Sequence, residues 1–113
     1  MNIFRRERDV KSFTTGQSIF SEGEVGDVMY AVVEGTVDIV WRGQLLESVN
    51  EGGIFGELAL LDDRPRSASA IARNDCTVAV IDLKRFEVLV GQAPFFAVEV
   101  MRVMAERLRR RTV

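Results

Sequence analysis

Histidine is missing from this chain altogether. Ser-His-Asp and Cys-His catalysis are therefore excluded, as is His-ligated zinc or iron. Cysteine occurs once, as Cys76, so neither an internal disulfide nor a thiolate cluster can form. A lone cysteine in a strand-like run reads as a small buried apolar residue. Long hydrophobic runs are also lacking, and the apolar stretches fall far short of a bilayer span. Met1-Asn2-Ile3-Phe4-Arg5-Arg6 lacks the apolar stretch of a secretion signal. A reducing, cytoplasmic setting is expected, with no membrane segment. No metal or cofactor is implied. What is present is ordinary globular composition, with 47% hydrophobic and 28% charged residues. The 113 residues have room for one domain of ordinary size, 1–113.

The net charge of −2 hides a division along the chain. Residues 1–13 carry +2, residues 14–83 carry −8 and residues 84–113 carry +4. The acidic middle argues against nucleic-acid binding there, because phosphate neutralisation needs a basic surface. The basic run from Arg107 to Arg111 reads as the solvated end of a helix that complements its dipole.

The middle of the chain reads as short strands separated by turns. Val28–Val33 is apolar, and Glu34-Gly35 turns. Thr36–Arg42 then alternates, with Val37, Ile39 and Trp41 on one face. That face makes Trp41 a core residue rather than a stacking platform. Gln44–Val49, Ser67–Arg73 and Cys76–Ile81 follow as further strands, with Ser18–Phe20 upstream. This rhythm, with glycines at the corners, predicts a sandwich or small barrel. Asp82 is placed to cap a helix over Leu83–Val90, stopped by Gly91. Pro94 suits the start of a second helix, Phe95–Arg111. Its expected apolar stripe is Ala97, Met101, Met104 and Leu108, with Val100 and Val103 beside it. A short helix over residues 3–10 is also expected. The fold class is mainly β with flanking helices: a β-roll over about 12–82, then helices over about 83–111.

The stretch that carries chemistry runs from Gly52 to Ala70. A strand ends at Phe55, and Gly56 lets the backbone turn and another group approach closely. Glu57–Leu61 can form one helical turn with unpaired N–H groups at its start. Asp62-Asp63 reads as the turn that breaks it, and Arg66-Ser67 opens the next strand. Oriented N–H groups beside an arginine suit an anion of the phosphate type. Bulk charge here repels anions, so any attraction must come from local, aimed groups.

Phe55-Gly56-Glu57-Leu58-Ala59-Leu60, followed at this spacing by Arg66-Ser67-Ala68-Ser69, resembles the phosphate-binding cassette of cyclic-nucleotide-binding domains. Such domains occur in catabolite activator proteins, regulatory subunits of cyclic-AMP-dependent kinase and gated ion channels. The likeness extends to Gly16, Glu22-Gly23, Val33-Glu34-Gly35-Thr36-Val37 and the helix start at Asp82–Phe86. It implies a double-stranded β-helix, or jelly-roll-like β-roll. It also implies a ligand, cyclic AMP ahead of cyclic GMP, and no catalysis.

The resemblance implies that Arg66 pairs with the exocyclic phosphate oxygens. Ser67 and Ala68 would present N–H groups, with the Ser67 hydroxyl adding a contact. Leu58 and Ala59 would add N–H groups, and Glu57 would accept the ribose 2′-OH. Phe55, Ile39 and Leu46 would wall the sugar and base. These roles are chemically coherent, since one arginine balances one phosphodiester charge and a carboxylate favours a free 2′-OH. The expected output is repacking of the C-terminal helices, the second serving as a lid over the base or a handle for a protein partner or homodimer. Arg102, Glu106 or an apolar neighbour is the candidate lid residue. Family members often carry an acidic residue where Gly53 stands, a departure expected to alter turn geometry. The helix-turn-helix domain of the transcription factors has no counterpart before Val113. A stand-alone sensor and a fragment both fit that ending. The alternative function is a scaffold or interaction module with a degenerate pocket that binds no nucleotide.

Overall fold

The computed structural model describes residues 2–112, with side chains through Arg110. The Arg111 side chain, last of the basic run, lies outside the described residues. The chain divides between Asp82 and Leu83 into two compact units.

The first unit is the β-roll. Its strands are β1 (Val10–Phe13), β2 (Ser18–Phe20), β3 (Met29–Glu34), β4 (Val37–Trp41), β5 (Gln44–Val49), β6 (Ile54–Phe55), β7 (Ser69–Ala72) and β8 (Cys76–Ile81). A short 3₁₀ helix, Glu57–Leu60, lies between β6 and β7. Two four-stranded sheets form, in the orders β1-β8-β3-β6 and β2-β7-β4-β5, with antiparallel pairing throughout. Strand β3 lies between β8 and β6, and Met29–Val32 are buried without a break, as suits a strand covered on both faces. Tyr30, Val32, Phe55, Cys76 and Val78 of one sheet share a core with Phe20, Val37, Val49, Ala70 and Ala72 of the other. Cys76 is buried there as a small apolar residue.

Residues 3–10 do not form a helix; turns and bends over 3–9 lead into β1, which begins at Val10. The Asn2 amide donates to the Val32 and Val33 carbonyls at 3.1 Å each, and its Oδ1 accepts the Phe4 N–H. Those bonds and the burial of Phe4 hold the segment against the sheet and compete with helical pairing. Trp41 is not core either, being 39% exposed with the Arg42 guanidinium 4.7 Å above its ring. Pairing of β4 with β7 ends at Val40, so Trp41 has a strand on one side only. At Gly53, an added Cβ would stand 2.6 Å from Val49 Cγ1. An acidic side chain there would force this turn to shift.

The second unit holds α1 (Leu83–Gln92) and α2 (Phe95–Thr112). Gly91 does not stop α1. Its φ is not left-handed, and the helix runs on until Pro94 restricts Ala93. The stripe expected on α2 is also displaced. Met101 and Leu108 are exposed, whereas Phe96 and Val100 are buried with Val103 and Met104 half-buried. The Phe86 and Phe96 rings, 5.5 Å apart, join the two helices. Among the described residues no helix is long and apolar enough to cross a membrane.

Candidate functional site

The site is built around the turn after β6. Gly56 adopts φ 73°, ψ 17°, a left-handed conformation that lets the chain leave β6 and enter the 3₁₀ helix directly. Phe55, before it, is buried in the core, and Glu57, after it, is only 6% exposed. Within the turn the Ala59 N–H donates to Gly56 O at 3.3 Å. The expectation that the first N–H groups all stand unpaired is thus corrected for Ala59. Leu58 is exposed, and its carbonyl accepts from Leu61 and Asp62. Asp62 in turn accepts the Arg64 N–H at 3.0 Å, the role of a turn residue.

Arg66 comes back over this turn. Its backbone is pinned on both sides: its N–H donates to Glu24 O and its carbonyl accepts from Gly23, each at 2.8 Å. The residue is 9% exposed, and its side chain is directed by two hydrogen bonds. Nη1 donates to Gly56 O at 3.0 Å and Nη2 donates to Val28 O at 2.8 Å. The guanidinium carbon lies 4.1 Å from the centre of the Phe20 ring and 5.8 Å from that of Tyr30. Two carbonyls take two of the five guanidinium N–H donors. The remaining donors are oriented by the same contacts. Burial pulls the Arg66 pKa down from its ordinary value, while Tyr30, Glu24 and Asp27 pull it back up. The cation is thus partly desolvated but not repelled, the condition under which a charge-assisted bond is strong.

Ser67 is exposed and Ala68 is buried. Neither residue's N–H meets a backbone acceptor among the described residues. Phe55, Gly56, Glu57, Leu58, Ala59, Arg66, Ser67 and Ala68 thus form one neighbourhood around the turn, with Arg66 bonded to Gly56. Ile39 is half-buried against the core and paired with Ala70 of β7, two residues beyond Ala68. Leu46 is different. It occupies the edge strand β5 where the register shifts opposite Ile39 and Val40, and it is 41% exposed.

Four contributors were not legible as site residues. Phe20, Gly26 and Val28 reach Arg66 from the β2–β3 region. Ser69, given no role in the sequence reading, accepts the Glu22 N–H at 2.9 Å and ties that loop beside the cassette. Gly26 was the one sequence signal: a Cβ there would lie 2.6 Å from Nε and Nη2 of Arg66.

A family model described as the cyclic nucleotide-binding domain matches residues 10–93. The chain is similar to a cAMP-dependent protein kinase regulatory subunit of Debaryomyces hansenii, 41% identical over 75 residues, covering 66% of this chain and 17% of that protein. It is also similar to a cGMP-dependent protein kinase of Plasmodium berghei, 34% identical over 82 residues, covering 73% of this chain and 10% of that one. Among solved structures, the catabolite activator protein of Thermus thermophilus superposes with a TM-score of 0.77 at 30% identity, over 90% of this chain and 50% of that one. The chain thus spans half or less of the length of each of these relatives.

Proposed function

The chain belongs to the cyclic nucleotide-binding domain family, and from that premise we propose that it is a non-catalytic cyclic-nucleotide sensor in which Arg66 grips the phosphate. One observation carries the reading. The Arg66 guanidinium is buried, charged and held by main-chain carbonyls directly beside the Gly56 turn and Glu57. In this reading Arg66, with the N–H groups of Leu58, Ser67 and Ala68 and the Ser67 hydroxyl, receives the phosphate. Glu57 accepts the ribose 2′-OH, and Phe55 and Ile39 form apolar wall. Leu46 contributes at the rim, in keeping with its exposure. Cyclic AMP is preferred over cyclic GMP. The preference rests on the regulatory-subunit likeness, and the cGMP-dependent relative makes the direct comparison necessary.

Calorimetric titration with both nucleotides on the parent chain and on Arg66→Ala tests this. Losing a desolvated charged partner costs about 2–5 kcal/mol, or roughly 30-fold and upward in Kd. Equal affinity in the variant overturns the assignment of Arg66. No heat from either nucleotide at millimolar concentration restores the scaffold alternative.

The regulatory output in this reading is ligand-dependent repacking of α1 and α2. A ligand shifts such an equilibrium only by its preference for one arrangement. Amide hydrogen exchange in Leu83–Gln92 and Phe95–Thr112 should therefore change on saturation with cyclic AMP. Identical exchange with and without ligand removes the switch while leaving the binding site standing.

A further inference from the structure

We propose that Phe20 is a positioning residue for nucleotide binding, its ring face setting the attitude of the Arg66 guanidinium that meets the phosphate. The proposal rests on reading Arg66 as the phosphate partner and goes one step further, to what aims it. The two carbonyl bonds, to Gly56 O and Val28 O, fix the edges of the guanidinium. They leave its tilt free to rock about the line joining the two acceptors. The Phe20 ring removes that freedom, because the guanidinium carbon lies 4.1 Å from the ring centre.

The ring is itself immobilised. Phe20 is buried, with ring centroids 5.9 Å from Tyr30 and 6.0 Å from Phe55. Register between β2 and β7 shifts between Ser18 and Phe20, and that irregularity accompanies the inward aim of Phe20. Gly26 completes the setting by leaving clear the space a side chain would take from Nε and Nη2. An aliphatic residue at position 20 would keep the site apolar but lacks the negative π face that attracts a cation. A phosphate oxygen bonds the N–H edges of a guanidinium rather than its face, so ring and phosphate hold the cation together instead of competing. Pre-ordering a long side chain lowers the entropy lost on binding.

The test replaces Phe20 with 4-fluoro-, 3,5-difluoro- and 3,4,5-trifluorophenylalanine, which keep the ring nearly isosteric while draining its π face. Calorimetric titration with cyclic AMP should show Kd rising stepwise, by roughly two- to thirty-fold across the series. The thermal midpoint should stay close to the parent's. Phe20→Tyr, which retains the face, should bind like the parent, whereas Phe20→Leu should weaken binding at least as far as the trifluoro ring. Packing alone would not produce a loss graded with ring charge at constant stability. If Arg66→Ala weakens binding but the fluorinated series is flat, the positioning role falls and the phosphate assignment stands. If Arg66→Ala binds like the parent, both fall.

Discussion

Arg66 shows how a charge is kept inside this fold. Burying a cation is costly unless its donors are satisfied. Here two carbonyls and an aromatic face meet part of that demand within one guanidinium, and the donors left over are the ones the proposed function gives to the phosphate. The cassette residues were legible in the sequence because they are nearly contiguous and their order is itself the signal. The groups that aim Arg66 were not, since Val28 lies 38 residues away and contributes only its carbonyl. Every residue type carries a main-chain carbonyl, so no residue type announces it. Other buried groups set the alkaline limit of stability. Burial, with help from the Asp75 carboxylate, pushes the Cys76 thiol up. Burial also pushes the Tyr30 phenol up, against the opposing pull of Arg66. In both cases the folded chain keeps a proton that the unfolded chain has released. Stability is therefore full below the ordinary thiol value, about 8.5, and declines as pH rises through the thiol range and then the phenol range near about 10. Arg66, whose pKa is lowered, acts with the opposite sign at higher pH still. Urea midpoints measured between neutral and strongly alkaline pH should fall on the alkaline side, and Cys76→Ala should flatten the first part of the fall. A level profile in the parent contradicts this account.

Among the elements, agreement followed how completely an element is specified by its own residues. Gln44–Val49 and Cys76–Ile81 were predicted with the bounds they have. The strand predicted over Ser67–Arg73 is shorter, Ser69–Ala72, because its first residues serve the cassette turn instead of the ladder. The helices were legible as helices, but their faces were not. Apolar residues on α2 lie at spacings that satisfy two adjacent stripes, and only packing chooses the one containing Phe96 and Val100. The junction between β6 and the 3₁₀ helix carries a sharper prediction. At Gly56 the backbone is left-handed, and an added Cβ would stand 2.8 Å from Arg66 Nη1 and 3.3 Å from Phe20 Cε2. Gly56→Ala should cost about 1–2 kcal/mol of stability through backbone strain alone. It should also weaken cyclic AMP binding by displacing the guanidinium. Denaturant unfolding and titration of the same variant read the two effects, and parent-like values in both would refute the role given to this glycine.

The molecule as a whole joins an acidic β-roll to a basic helical unit, a contrast visible in the charge distribution along the chain. In the proposed function that contrast leaves attraction for a monoanionic phosphodiester to a few oriented groups. Strand rhythm and turn glycines were enough to specify a β-roll with flanking helices, and the order of residues in the cassette carried the resemblance to cyclic-nucleotide-binding domains. Each of those signals is local, and short-range periodicity or spacing records it in full. The folded chain alone established that Phe20, Gly26 and Val28 surround Arg66, that Leu46 and Trp41 lie open, and that the N-terminal segment is a turn. Those outcomes depend on strand register, bulges and long-range hydrogen bonds. Such contacts join residues whose neighbours in sequence carry no trace of the meeting.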